Sequence, residues 1–76
     1  MTDLNLNAIG KKCPMPVLMA KKELVKLTES GDTLTLTADD VGSLKDIPAL
    51  IRKMEGYEIL ESSQEGKIIT FKIQKL

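Results

Sequence analysis

Residues 4–16 read Leu4-Asn5-Leu6-Asn7-Ala8-Ile9-Gly10-Lys11-Lys12-Cys13-Pro14-Met15-Pro16 and join two kinds of periodicity. Leu4 and Leu6 alternate with Asp3, Asn5 and Asn7, the pattern of a short strand with one buried face. Gly10-Lys11-Lys12 marks a turn. Pro14 and Pro16 would break a helix interior. They suit a first turn, where backbone N–H groups have no intrahelical acceptor. A helix therefore opens within a residue or two of Cys13. It starts at Pro14 or, because Pro16 biases Met15 away from helical angles, at Pro16.

Downstream the pattern repeats. At about 100° per residue, Val17, Leu18, Ala20, Leu24, Val25 and Leu27 fall within one half of the helix, with Lys22, Glu23 and Lys26 on the other. Lys21 falls inside the apolar half and must snorkel. Ser30-Gly31 is expected to close this helix, with Gly31 in a left-handed cap. Thr33 to Ala38 alternates Thr with Leu34, Leu36 and Ala38, a second half-buried strand. Asp39-Asp40-Val41-Gly42 forms a loop. Leu44, Ile47, Leu50, Ile51 and Met54 make one stripe of a second helix. Pro48 requires a tight opening turn from Ser43, with Asp46 as N-cap of the regular part. Gly56 ends it. Tyr57 to Ser62 reads as a third strand, Gln64-Glu65-Gly66 as a hairpin turn, and Lys67 to Lys75 as a fourth strand with Ile69, Phe71 and Ile73 on one face. The order βαβαββ predicts an α+β (α/β) two-layer sandwich: a four-stranded mixed sheet with two helices on one face, in a single domain across residues 1–76.

Composition narrows the chemistry. The chain has 76 residues, 11 basic and 11 acidic, for a formal charge of zero. A direct nucleic-acid binder needs a basic surplus, so none is expected. With no His and one Cys, the chain cannot build a Ser-His-Asp or Cys-His site, a Cys/His zinc site, or an internal disulfide. Asp39-Asp40 lacks further oxygen ligands for a cation. No metal and no cofactor are expected. The run Val17-Leu18-Met19-Ala20 is far shorter than a signal-peptide core or a membrane span. The expectation is a cytoplasmic monomer with no membrane association, and a single free thiol fits a reducing compartment.

Cys13 is the residue placed for chemistry. It lies between the carboxyl end of a strand and the amino end of a helix, where the helix dipole favours a thiolate. Lys11 and Lys12 push the same way. Pro14 and Pro16 supply no N–H to the sulfur and instead hold the helix start rigid. If the first two strands are parallel, the loop Ala38 to Ser43 flanks Cys13, bringing Lys45 near. Asp39 and Asp40 there act against the thiolate. The bland alternative, a small buried cysteine, fits poorly between a Lys pair and a Pro. Met15 and Met19 are candidate docking contacts, with Met19 on the polar half of the helix. Lys45 and Asp46 are further candidates, though N-capping is the simpler role for Asp46. Lys21, Lys22 and Lys26 read as a solvated helix face.

Gly10, then Cys13-Pro14-Met15-Pro16, then Val17 to Lys22, resembles the Cys-Pro-x-Pro signature of the TusA-like (SirA-like) sulfur carriers. Gly31-Asp32-Thr33-Leu34, Ala38-Asp39-Asp40 and Lys45-Asp46-Ile47-Pro48 resemble that family's glycine-opened strand, acidic loop and Asp-Ile-Pro helix start. The likeness spans nearly the whole chain. It departs at Lys11, where a Leu is common, and at Val41, where a Pro is common. The resemblance implies a sulfur carrier rather than a stand-alone catalyst, with Cys13 as the carrier and Gly10, Lys11, Lys12, Pro14 and Pro16 in support. Cys13 takes sulfane sulfur as a persulfide from a cysteine desulfurase or rhodanese-like donor. It relays that sulfur to an acceptor thiol in tRNA thiolation, molybdenum-cofactor or sulfur metabolism. A lone thiol suits the task, because a second one nearby would discharge the persulfide as a disulfide.

Two other classes compete. The element order also resembles an RNA-binding domain of a translation initiation factor, but neutral charge and only Tyr57 and Phe71 as aromatics weigh against a non-catalytic RNA-binding or protein-interaction module. A redox sensor would want a resolving cysteine, which this chain lacks.

Overall fold

A computed structural model describes residues 2–12 and 15–76. The elements are β1 (Asp3–Ala8), α1 (Met15–Leu24), β2 (Thr33–Ala38), α2 (Ser43–Lys53), β3 (Tyr57–Glu65) and β4 (Ile68–Lys75). The sheet order is β1-β2-β4-β3. β1 and β2 are parallel, and β4 is antiparallel to both β2 and β3. The architecture is the mixed α+β sandwich expected from the alternation.

Register turns that alternation into a core. Leu4 pairs with Leu34 and Leu34 with Ile73; Leu6 pairs with Leu36 and Leu36 with Phe71; Ala8 pairs with Ala38 and Ala38 with Ile69. These three rows share one parity and so one face. Ala20 and Leu24 of α1 and Ile47 and Ile51 of α2 belong to the same buried cluster, which places both helices over that face. Each fully buried Leu or Ile contributes about 1.5–3 kcal/mol relative to exposure. The other face carries exposed Asn5, Asn7 and Lys72 and half-buried Thr35 and Thr37.

α1 ends at Leu24 and not at Ser30-Gly31. The chain tightens there: the N–H groups of Lys26 and Leu27 donate to Glu23 and Leu24 carbonyls three residues back, each at 3.0 Å. The Tyr57 hydroxyl also donates to the Leu24 carbonyl, at 3.0 Å. This bend carries Leu27 into the core. Gly31 does take a left-handed φ of 97°, but in the turn into β2, where its N–H donates to the Lys75 carbonyl at 2.8 Å. The buried Asp32 carboxylate beside it accepts the N–H groups of Thr2 and Glu29 at 2.9 and 3.2 Å. These bonds, that of Thr2 foremost, hold its carboxyl below the ordinary 3.8.

α2 opens with the tight turn that Pro48 predicts. Ser43, Leu44 and Lys45 each donate an N–H three residues back, at 2.9, 3.1 and 3.2 Å. The N-cap position is Gly42, with no side-chain bond, and Asp46 sits inside the first turn and not at the cap position. β3 runs to Glu65, three residues beyond Ser62, and β4 begins at Ile68. A bulge between Ile59 and Glu61 shifts the register, after which Ser62 pairs with Phe71 and Glu65 with Ile68. The polar run that resembled a loop is therefore a paired strand, and the turn shrinks to Gly66-Lys67. No helix among the described residues is long and apolar enough to cross a membrane.

Candidate functional site at one edge of the sheet

Because β1 and β2 are parallel and in register, with Ala8 beside Ala38, both strand-to-helix loops leave the sheet at the same edge. β4 runs the other way and pairs Ile69 with Ala38, so the Gly66-Lys67 turn arrives at that edge too. The first two loops are tied together: the Gly10 N–H donates to Asp39 Oδ1 at 3.0 Å. Gly10 is left-handed, with φ 86°. The Lys11 N–H returns to the Ala8 carbonyl at 3.1 Å, and the Met15 N–H to the Lys12 carbonyl at 2.8 Å. Asp40 Oδ1 accepts the Gly42 N–H at 3.1 Å and so holds its own loop.

Gly10, Lys11, Lys12, Asp39, Asp40 and Lys67 wall a groove of about 530 Å³. The groove brings together the Lys pair and the acidic loop, as the parallel topology predicts. Lys67 joins them from the far end of the chain. Only the antiparallel return of β4 beside β2 puts the hairpin at this edge, and strand order is not written in local periodicity. The three lysines outnumber the two carboxylates, each of which has an oxygen engaged by a backbone N–H.

Cys13 and Pro14 lie outside the described residues. Their neighbours are placed: Lys12 and Met15 are exposed, and Pro16 is buried in the first turn of α1. Lys45 is exposed on the first turn of α2. Asp46 lines a separate cleft with Val17, Ala49, Leu50 and Lys53. Met19, expected on the polar half of α1, is half-buried and packs against the core. Leu18 and Val25, expected in the buried half, are exposed instead. The half-circle drawn from sequence was too wide, because the sheet covers only the arc around Pro16, Ala20 and Leu24.

The sequence profile described as Sulfurtransferase TusA matches residues 4–75. The chain belongs to the TusA family. Sulfur carrier protein TusA of Allochromatium vinosum is 44% identical over 73 residues, covering 96% of this chain and 93% of that protein. YrkI of Bacillus subtilis is 42% identical over 74 residues, covering 97% of this chain and 96% of that protein. Among solved structures, the SirA-like protein of Desulfitobacterium hafniense superposes with a TM-score of 0.79 at 30% identity, covering 93% of this chain and 95% of that one. The βαβαββ sandwich is thus shared with a SirA-like neighbour, and the TusA match takes in β1 from Leu4 onward and all of α1 through β4.

Proposed function

We propose that this sulfur carrier of the TusA family bears its cargo on Cys13, as a persulfide received from a donor protein and passed to an acceptor thiol. The reading is supported by the groove of Gly10, Lys11, Lys12, Asp39, Asp40 and Lys67, of which Gly10, Lys11 and Lys12 lie directly upstream of the chain's one thiol in sequence. Cationic side chains favour the thiolate, the nucleophile in sulfur exchange. The Cys13 thiolate attacks the outer sulfur of the donor persulfide. A new S–S bond forms at Cys13 as the donor's S–S bond breaks, and the donor cysteine leaves as a thiolate. The step needs no external electron and no general base, which suits a chain without histidine.

The donor is a cysteine desulfurase or a rhodanese-like protein. The acceptor presents a thiol in tRNA thiolation, molybdenum-cofactor or sulfur metabolism. The carrier acts in the cytoplasm as a monomer and one domain. Pro16 stiffens the first turn of α1, and Met15 and Lys45 serve as docking contacts. Met19 packs against the core, and Asp46 joins Lys45 as a docking contact on the first turn of α2.

The test is intact mass after incubation with a cysteine desulfurase or a rhodanese-like protein and its sulfur source. Gain of one sulfur, removed by reductant and absent in Cys13→Ser, is the expected outcome. A Cys13 that stays unmodified with both donors and with polysulfide would overturn the reading.

A further inference from the structure

The β1–β2 ladder ends at the pair Ala8 and Ala38. Beyond that pair the two loops are joined by Asp39, whose Oδ1 accepts the Gly10 N–H at 3.0 Å across 29 positions of sequence. The turn that carries Gly10 is otherwise local. Its ends are closed by the Lys11 N–H on the Ala8 carbonyl at 3.1 Å, with Gly10 at the third place and φ 86°. The peptide between Ile9 and Gly10 lies at the centre of this turn, and its N–H has no acceptor within the turn. That N–H is the one Asp39 takes. Asp40 Oδ1, in contrast, accepts the Gly42 N–H of its own loop.

By charge alone, a carboxylate near a thiol disfavours the thiolate. The bond to Gly10 gives Asp39 an opposing effect. The two residues that follow Gly10, directly ahead of Cys13 in sequence, are Lys11 and Lys12. Both wall the same groove as Asp39. A lysine is a point charge on a flexible stem, and its pull on an anion falls with distance and with salt. Its effect therefore depends on how firmly the backbone beneath it is held.

We propose that Asp39 is a positioning residue for Cys13: its carboxylate pins the Gly10 turn, and so keeps Lys11 and Lys12 where they favour the thiolate. The inference rests on the carrier reading, since the thiolate is the form that takes up sulfur.

The experiment follows three readouts in wild type, Asp39→Asn and Asp39→Ala. Iodoacetamide alkylation of Cys13 against pH gives the thiolate fraction with no partner present. Amide exchange at Gly10 reports the bond itself. Intact mass after polysulfide treatment reports sulfur uptake. The bond lies beyond the last paired residues of β1 and β2, so the sheet stands without it. Asp39→Asn keeps an oxygen acceptor and loses the charge, and should protect Gly10 and alkylate at least as fast as wild type. Asp39→Ala should expose Gly10 to exchange, move the alkylation midpoint to higher pH and slow alkylation at neutral pH by about threefold. In a Lys11→Ala/Lys12→Ala background, Asp39→Ala should produce no such slowing, because the cycle removes the groups through which Asp39 acts. Alkylation that speeds up equally in Asp39→Asn and Asp39→Ala overturns the proposal in favour of charge alone. A midpoint unmoved in Asp39→Ala, with stability lowered, overturns it in favour of a structural bond only. Equal slowing in the lysine-free background overturns the route through Lys11 and Lys12. Failure of wild type to gain sulfur from polysulfide or from a cysteine desulfurase overturns the carrier reading, while the alkylation profile still decides the role of Asp39.

Discussion

Ser43→Ala should make this protein more stable. Ser43 opens α2 and is 1% exposed, and among the described residues its Oγ has no hydrogen-bond partner. Taking a hydroxyl out of water without a replacement bond costs about 1–3 kcal/mol on mutational scales. Alanine removes that oxygen and adds no volume. The small void left behind offsets part of the gain, since cavities carry their own cost. The net expectation is a gain of about 1 kcal/mol, or a rise in Tm of about 4–8 °C for a domain of this size. Equilibrium urea unfolding of both proteins provides the measurement, with an unchanged m-value indicating that only stability has moved. A Ser43→Ala protein less stable than wild type by 1 kcal/mol or more would refute the reasoning. It would mean that the hydroxyl is bonded and that the first turn of α2 depends on it.

Three further outcomes follow from the geometry. Tyr57→Phe removes the bond to the Leu24 carbonyl and should cost about 0.5–1.5 kcal/mol in the same urea experiment, with the loss felt at the end of α1 in amide hydrogen exchange. Gly10→Ala meets no atom within 4 Å but keeps a φ of 86°, so its cost is conformational, about 1–2 kcal/mol; an equally stable variant would show that the loop before Cys13 does not need the left-handed residue. Asp32 has a folded pKa below its unfolded value. Its contribution is therefore complete above the unfolded pKa and is lost as pH falls through the folded one. Stability of wild type should decline on acidification below pH ~4, and Asp32→Asn should flatten that decline.

What the sequence disclosed depended on whether the information was local. Strand alternation gave the parity of Leu34, Leu36, Ile69, Phe71 and Ile73, because side-chain period two survives any strand order. The tight opening of α2 followed from Pro48, a constraint that acts within a few residues. The end of α1 did not follow, because it is set by Tyr57, 33 residues away in sequence, while Gly31 offered a plausible stop nearer at hand. The extension of β3 was hidden for a similar reason: Ser62 to Glu65 carry no apolar face, and only pairing with β4 makes them a strand. At the candidate site, Gly10, Lys11, Lys12 and the acidic loop were legible from strand-to-helix order. Lys67 was not, since its place depends on β4 lying beside β2. The exposure of Leu18 and Val25 was not legible, because on a helical wheel they fall in the same apolar half as Ala20 and Leu24.

The outer edge of β3 bears on crowding. β3 is nine residues long and borders the sheet, and strands in that position can pair with a foreign strand. A chain of zero net charge has little overall repulsion to keep copies apart. The bulge between Ile59 and Glu61 bends that border, and Glu58, Glu61 and Glu65 are exposed along it. Local repulsion at the rim thus does what global charge does in other small proteins. Charges placed along an edge strand disfavour the edge-to-edge stacking of copies.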